Sequence, residues 1–160
     1  SLQIGDIRKQ VVNLYKTLEP QAVSQTIHRE QAAASPHQSI SILWVDDNPD
    51  NNSVLVDQLR QPGISIVKSS STQHALELFS KQKFDRVISD MGRKEGVRFN
   101  ETAGLDLVRA IRSQGIEIPI IIYCSTQKAT EYRNKAIEVG ATVITSSPTV
   151  LLQSLDLGSQ

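Results

Sequence analysis

The chain has 160 residues, and its 17 Lys and Arg balance its 17 Asp and Glu, so the net charge is zero and no large electrostatic footprint on nucleic acid is expected. One cysteine excludes an internal disulfide and fits a reducing compartment. No apolar run approaches the roughly 18 residues of a membrane span and no signal peptide opens the chain, which leads us to expect a soluble, cytoplasmic protein without membrane contact.

The length fits one domain with an appendage, and Ser1 in place of an initiating Met suggests a piece cut from a longer protein. Ile4, Ile7, Val11, Leu14 and Leu18 follow a 3-4-3-4 spacing, the seam of an amphipathic helix. Pro20 interrupts it, and a weaker stripe (Ala22, Val23, Thr26, Ile27) carries on towards Ala34. We expect residues 1–34 to be helical, either packed on their own domain or serving as a dimerising or signal-relaying helix. His28 is followed by Arg29 and reads as part of a solvated face, and His37 and His74 read as polar surface. Residues 35–39, Ser-Pro-His-Gln-Ser, read as a linker.

From residue 40 to 158 strands and helices alternate. Ile42-Leu43-Trp44-Val45 is a strand buried on both faces, as a parallel sheet requires. Asp50 or Asn51 caps a helix bearing Val54, Leu55 and Leu59 that stops at Pro62-Gly63. A more edge-like strand covers 64–67, and Ser71 or Thr72 caps a helix with Ala75, Leu76 and Phe79. The strand Arg86-Val87-Ile88-Ser89 ends at Asp90, and residues 91–103 read as a long polar loop, of the kind that is functional or mobile. Leu105, Leu107, Val108 and Ile111 mark the next helix, which ends at Gly115. Ile118–Tyr123 is the most apolar strand and is expected at the centre of the sheet, with Pro119 at its start. A helix with Ala129, Tyr132, Ala136, Ile137 and Val139 runs to Gly140. Residues 142–145 form a fifth strand, and Val150, Leu151, Leu152 and Leu155 a last helix. Five such units predict an α/β fold: a doubly wound parallel sheet covered on both faces.

In such sheets the ligand sits at the carboxyl ends of the strands. Asp46 and Asp47 end the first strand and Asp90 ends the third. If these strands are parallel neighbours, three carboxylates converge. At about 5 Å and an effective dielectric near 20, each pair repels by roughly 3 kcal/mol. The acids must then hold protons or bind a cation, and oxygen ligands of this kind suit Mg²⁺.

These residues resemble those of a response-regulator receiver domain. The likeness covers residues 40–158 and rests on Val45-Asp46-Asp47, Ile88-Ser89-Asp90, Ile118-Pro119-Ile120-Ile121-Ile122 and Gly140-Ala141, in that order. It implies strand order 2-1-3-4-5, Asp90 as phosphoacceptor, and Mg²⁺ held by Asp46, Asp47, Asp90 and the backbone carbonyl of Gly92. It also implies a histidine kinase or phosphotransfer protein as partner, and no enzyme activity beyond self-catalysed phosphotransfer and dephosphorylation. A homodimer through the N-terminal helix is a further expectation.

The part that senses the phosphoryl group departs from the family pattern. Cys124 stands at the Thr/Ser position, Ser147 at the lysine position before Pro148, and Ile144 at the aromatic switch position. Ser125 and Ser147 are the candidate phosphoryl contacts, and Lys68, Lys94 and Lys128 the candidate cations from elsewhere in the chain. Ser147-Pro148 matches a family bond that is cis. Cys124 reads as a structural thiol or, alternatively, a reactive one. Two alternatives to phosphorylation remain: a pseudo-receiver that binds a partner independently of phosphate, and a Mg²⁺-dependent phosphohydrolase using Asp90 or Asp46. Against the latter, Asp46-Asp47-Asn48 lacks the Asp-x-Asp spacing of haloacid-dehalogenase phosphatases, and no Gly-rich phosphate loop is present.

Overall fold

The β-branched run that opens the domain forms β1 (Ile40–Val45), with Ile42 to Val45 essentially inaccessible to solvent. A computed structural model describes residues 39–157 of the chain. The expected N-terminal helix, most of the linker and any dimer seam lie outside these residues. After a 3₁₀ turn at Pro49–Asn52 come α1 (Ser53–Leu59), β2 (Ile64–Ser69), α2 (Thr72–Lys81) and β3 (Arg86–Ser89). Two short strands follow, β4 (Arg93–Glu95) and β5 (Arg98–Asn100), then α3 (Ala103–Ser113) and β6 (Ile120–Tyr123). The chain continues through α4 (Thr126–Glu131), α5 (Arg133–Val139), β7 (Val143–Thr145) and α6 (Pro148–Leu155).

The main sheet is parallel with order β2-β1-β3-β6-β7. Leaving the β4–β5 pair aside, this is the predicted 2-1-3-4-5 order. β2 is an edge strand, as its alternation implied, and β7 is the other. β6 lies inside the sheet between β3 and β7, but the middle place belongs to β3. Because side chains alternate along a strand, Leu43, Val45, Val87, Ile120 and Ile122 share one core with Ala75, Val108 and Ile111 from the helices on that side. Ile42, Trp44, Ile88 and Ile121 point the other way, and Leu55, Val56 and Leu59 of α1 and Leu151 and Leu155 of α6 are the buried helical residues left to cover them.

The N-cap position of α1 is Asn52, with no side-chain cap bond, rather than Asp50 or Asn51, and three further sequence expectations are corrected. The stretch 91–103 is not simply a loop: β4 and β5 pair as an antiparallel hairpin, Lys94 opposite Phe99, around a two-residue Gly96-Val97 turn. Gly96 has φ +71, which a glycine at the first turn position accommodates. The helix expected to run unbroken to Val139 is interrupted at Tyr132, although Tyr132 N–H still donates to Lys128 and its carbonyl still accepts from Ala136. The cis bond expected at Ser147-Pro148 is absent, since every peptide bond among the described residues is trans. Ser147 is extended (φ −95, ψ 121) and Pro148 opens α6, where a proline lacks nothing the helix needs.

At Gly104 the first turn of α3 presses on the end of β3. A Cβ there would lie 2.3 Å from the carbonyl oxygen of Asp90 and 3.1 Å from Met91 Cα. Gly104→Ala should therefore push α3 off the strand tip and destabilise the domain by about 1–3 kcal/mol, read as a lower urea midpoint. An unchanged midpoint would mean that the helix shifts without cost.

Candidate functional site

Register brings the acids together. β1 and β3 pair with Val45 opposite Ser89, so Asp46 and Asp90 are the next residues on adjacent strands. Backbone bonds hold both ends: Asp90 N–H donates to Val45 (3.0 Å), and Asp46 N–H to Ser69 (2.9 Å). Carboxylate oxygens of Asp46, Asp47 and Asp90 lie within 4.8 Å of one another. They line one side of an open cavity of about 400 Å³ that also reaches Gly92, Cys124, Ser125 and Lys128.

Each acid is held in place. Asp46 is largely buried and accepts from Asn48 N–H (2.8 Å) and from Asn52 Nδ2 (3.1 Å). Asp47 is exposed and accepts from Lys94 N–H at 2.5 Å, which ties the β4–β5 hairpin to the acidic cluster. The two oxygens of Asp90 face different neighbours. Oδ2 lies 3.4 Å from Asp47 N–H, on the side of the cluster, whereas Oδ1 accepts from Arg93 Nη1 at 2.5 Å.

Arg93 is the residue that sequence reasoning missed. It is fully buried (0% exposed), and its five N–H groups all have acceptors. Nη1 donates to Asp90 Oδ1 and to Ser89 Oγ (3.1 Å), Nη2 to Thr72 Oγ1 (2.6 Å) and the Ala103 carbonyl (3.4 Å), and Nε to Glu95 Oε2 (2.8 Å). Glu95 in turn accepts from the hydroxyl and the N–H of Thr72, at the start of α2. The signal available was the Gly96-Val97 pair between two short charged runs, which marks a hairpin. It could not reveal that Arg93 points inward.

The other predicted residues divide. Ser125 lines the cavity, and its hydroxyl caps α4 by accepting from Lys128 N–H (3.2 Å). Ser147 does not line it; its hydroxyl caps α6 by accepting from Val150 N–H (3.1 Å). Lys128 is the one of the three suggested lysines that lines the cavity. Its ammonium sits 5.7 Å over the ring of Phe99 on β5. A Cβ on Gly92 would meet both side chains, at 2.9 Å from Phe99 and 3.1 Å from Lys128 Nζ, so glycine there keeps the backbone open to the cavity.

The electrostatics follow from burial. Burial pushes the Asp90 carboxyl up to about 7, and the charge of Asp46 adds to the rise, more than Arg93 and the Asp47 N–H draw it down. Asp46 is raised too, chiefly by burial and then by Asp47. Burial also lifts Glu95, but its Thr72 and Arg93 contacts outweigh this and hold it below the usual range. Burial, with Asp90 nearby, takes the Cys124 thiol to about 11 despite Lys128, so near neutral pH it is a thiol and a weak nucleophile.

The family model for the response regulator receiver domain matches residues 42–149. The chain belongs to the receiver family. Over 119 residues it is 31% identical to the sensor histidine kinase RcsC of Escherichia coli, a match that covers 74% of this chain and 12% of that protein. This receiver thus spans about an eighth of the length of that relative. Among solved structures it resembles the chemotaxis response regulator CheY4 of Vibrio cholerae (27% identity, TM-score 0.58, covering 74% of this chain and 97% of that one). It shares its fold with the response regulator TrrA of Thermotoga maritima, solved in complex with Mg²⁺ and BeF (24% identity, TM-score 0.57, 74% and 98% covered). No helix among the described residues is long and apolar enough to cross a membrane.

A raised carboxyl binds its proton more tightly in the folded than in the unfolded chain. The stability it contributes is therefore complete below about pH 4 and is lost as pH rises through about 7. For the metal-free protein we expect the unfolding free energy to fall by roughly 2 kcal/mol between about pH 5.5 and pH 8, measured by urea titration. Asp90→Asn should flatten that slope. A flat profile in the wild type would mean that Arg93 keeps Asp90 ionised throughout.

Proposed function

We propose that this receiver is a phosphoacceptor in two-component signalling. Asp90 takes a phosphoryl group from a phosphohistidine of a histidine kinase or phosphotransfer protein. The observation that carries this reading is the convergence of Asp46, Asp47 and Asp90 within 4.8 Å at the carboxyl edge of the sheet. Crowding three acids there has a cost unless a cation or protons compensate it. The donor set fits Mg²⁺: carboxylate oxygens of Asp46, Asp47 and Asp90, with the Gly92 carbonyl on the open backbone beside them. Bound there, Mg²⁺ would offset the negative charge gathered around the transferring phosphoryl group.

The chain's own residues do the rest. Oδ2 of Asp90, on the side of the acids, attacks phosphorus as the bond from phosphorus to the donor nitrogen breaks. The donor imidazole leaves with the bonding electron pair, and the product is an acyl phosphate. Ser125 and Lys128 line the same cavity and take over the hydroxyl and charge contacts with phosphoryl oxygens that the family assigns to the ends of its fourth and fifth strands. Ser147, already the cap of α6, is the weaker of the two predicted serine contacts.

A second reading has one observation in its favour. Arg93 already neutralises Asp90, which is what a pseudo-receiver acting only through protein contact would need. The two readings part on labelling. With acetyl phosphate and Mg²⁺ we expect an 80-dalton adduct by intact mass spectrometry, absent in Asp90→Asn and reduced at least tenfold in Asp47→Asn. With Mg²⁺ and beryllofluoride we expect a change in the fluorescence of Trp44, the only tryptophan in the chain. No adduct and no fluorescence change would favour the pseudo-receiver. Sustained turnover of a chromogenic phosphate ester would favour the phosphohydrolase.

A further inference from the structure

We infer that Arg93 acts in the chemistry of Asp90, stabilising its carboxylate as the leaving group when the acyl phosphate is hydrolysed, so that the phosphorylated state is short-lived. The inference rests on the proposed phosphorylation of Asp90 and adds what sets its lifetime. Its basis is the division of labour between the two oxygens: Nη1 of Arg93 donates to Oδ1 at 2.5 Å, and Oδ2 is left towards the acidic cluster and the cavity.

The electron bookkeeping is direct. In the acyl phosphate, Oδ2 is bonded to phosphorus and Oδ1 is a neutral carbonyl oxygen. During hydrolysis a water oxygen bonds to phosphorus, the Oδ2–phosphorus bond breaks, and its electron pair returns to the carboxylate. The water gives up a proton to the phosphate product or to solvent. Charge therefore grows on the carboxylate, half of it on Oδ1, as the transition state forms. A guanidinium donating to Oδ1 binds that growing charge more strongly than the neutral carbonyl it replaces, so it lowers the barrier. By the same argument it stabilises the unphosphorylated carboxylate and disfavours net phosphorylation.

The surroundings hold Arg93 to this task. Its other donors go to Ser89, Thr72, Glu95 and the Ala103 carbonyl, so the guanidinium is oriented from three sides and cannot swing away from Oδ1 without leaving buried donors unpaired. Its positive charge also offsets one of the three acids, so Arg93 and Mg²⁺ compete for the charge of Asp90.

The test compares wild type with Arg93→Met, which fills the buried volume, and Arg93→Gln, which keeps polar contact without charge. The half-life of the acyl phosphate formed with acetyl phosphate should lengthen roughly tenfold in the variants, about 1.4 kcal/mol in barrier. Mg²⁺ affinity, followed by Trp44 fluorescence without any phosphoryl donor, should rise several-fold. An unchanged or shorter half-life in variants that fold and are labelled would overturn the inference, as would unchanged Mg²⁺ affinity. The wild type supplies a test that needs no variant: the Arg93 guanidinium signals in a ¹⁵N–¹H spectrum should shift when Mg²⁺ and beryllofluoride are added, and unmoved signals would likewise overturn it. If wild type takes no label and no beryllofluoride, the phosphoacceptor reading itself fails, which is a different result from a labelled protein whose lifetime ignores Arg93.

Discussion

An arginine side chain with no solvent exposure is tolerable in a folded domain only when its charge and all its donors find partners, because an uncompensated buried charge costs several kcal/mol. Arg93 meets that condition with Asp90 and Glu95 for charge and with Ser89, Thr72 and Ala103 for its remaining hydrogens. The pair with Asp90 is thus a constraint on everything near it. It ties the first strand of the hairpin to the tip of β3. Through Glu95 and Thr72 it also joins the hairpin to the start of α2. A change in the charge of Asp90 has a direct mechanical route to the hairpin.

The same pair alters how the acidic cluster manages its repulsion. Three carboxylates within 4.8 Å would each be hard to ionise in turn. Here one of them has an internal cation on one oxygen while its other oxygen stays with the cluster. The cluster is therefore partly compensated by the chain itself, and burial rather than lack of a partner is what raises Asp90. The other two acids are held by the chain as well, through hydrogen bonds from Asn48, Asn52 and Lys94.

Beyond the acids, the cavity owes its cationic side to Lys128 on the helix after β6, steadied over Phe99 from the hairpin. The hairpin thus contributes to the site three times, through Arg93 beneath Asp90, the Lys94 amide on Asp47 and the Phe99 ring under Lys128. Of the described residues, Val97 at its turn and Phe99 are among the few large apolar ones left exposed, at 91% and 58%. The β4–β5 pair supports the residues that line the cavity without lining it itself.

The receiver resemblance supplied the strand order; by itself the sequence determined the alternation of strands with helices and the place of Asp46, Asp47 and Asp90 at two strand tips. These are legible because they follow from local pattern: apolar runs of strand length, helical spacing and turn residues, combined with the rule that parallel units wind in one hand. Only the tertiary structure decided that Arg93 turns inward, that Ser147 spends its hydroxyl on a helix cap, and that Lys128 rather than Lys68 or Lys94 borders the cavity. Arg93 sits among charged neighbours in three-residue strands too short to show a period. Its environment is set by Thr72 and Ala103, 21 residues before it and 10 after it. Which partner a charged side chain meets depends on where separate segments come to rest, and no local spacing carries that information.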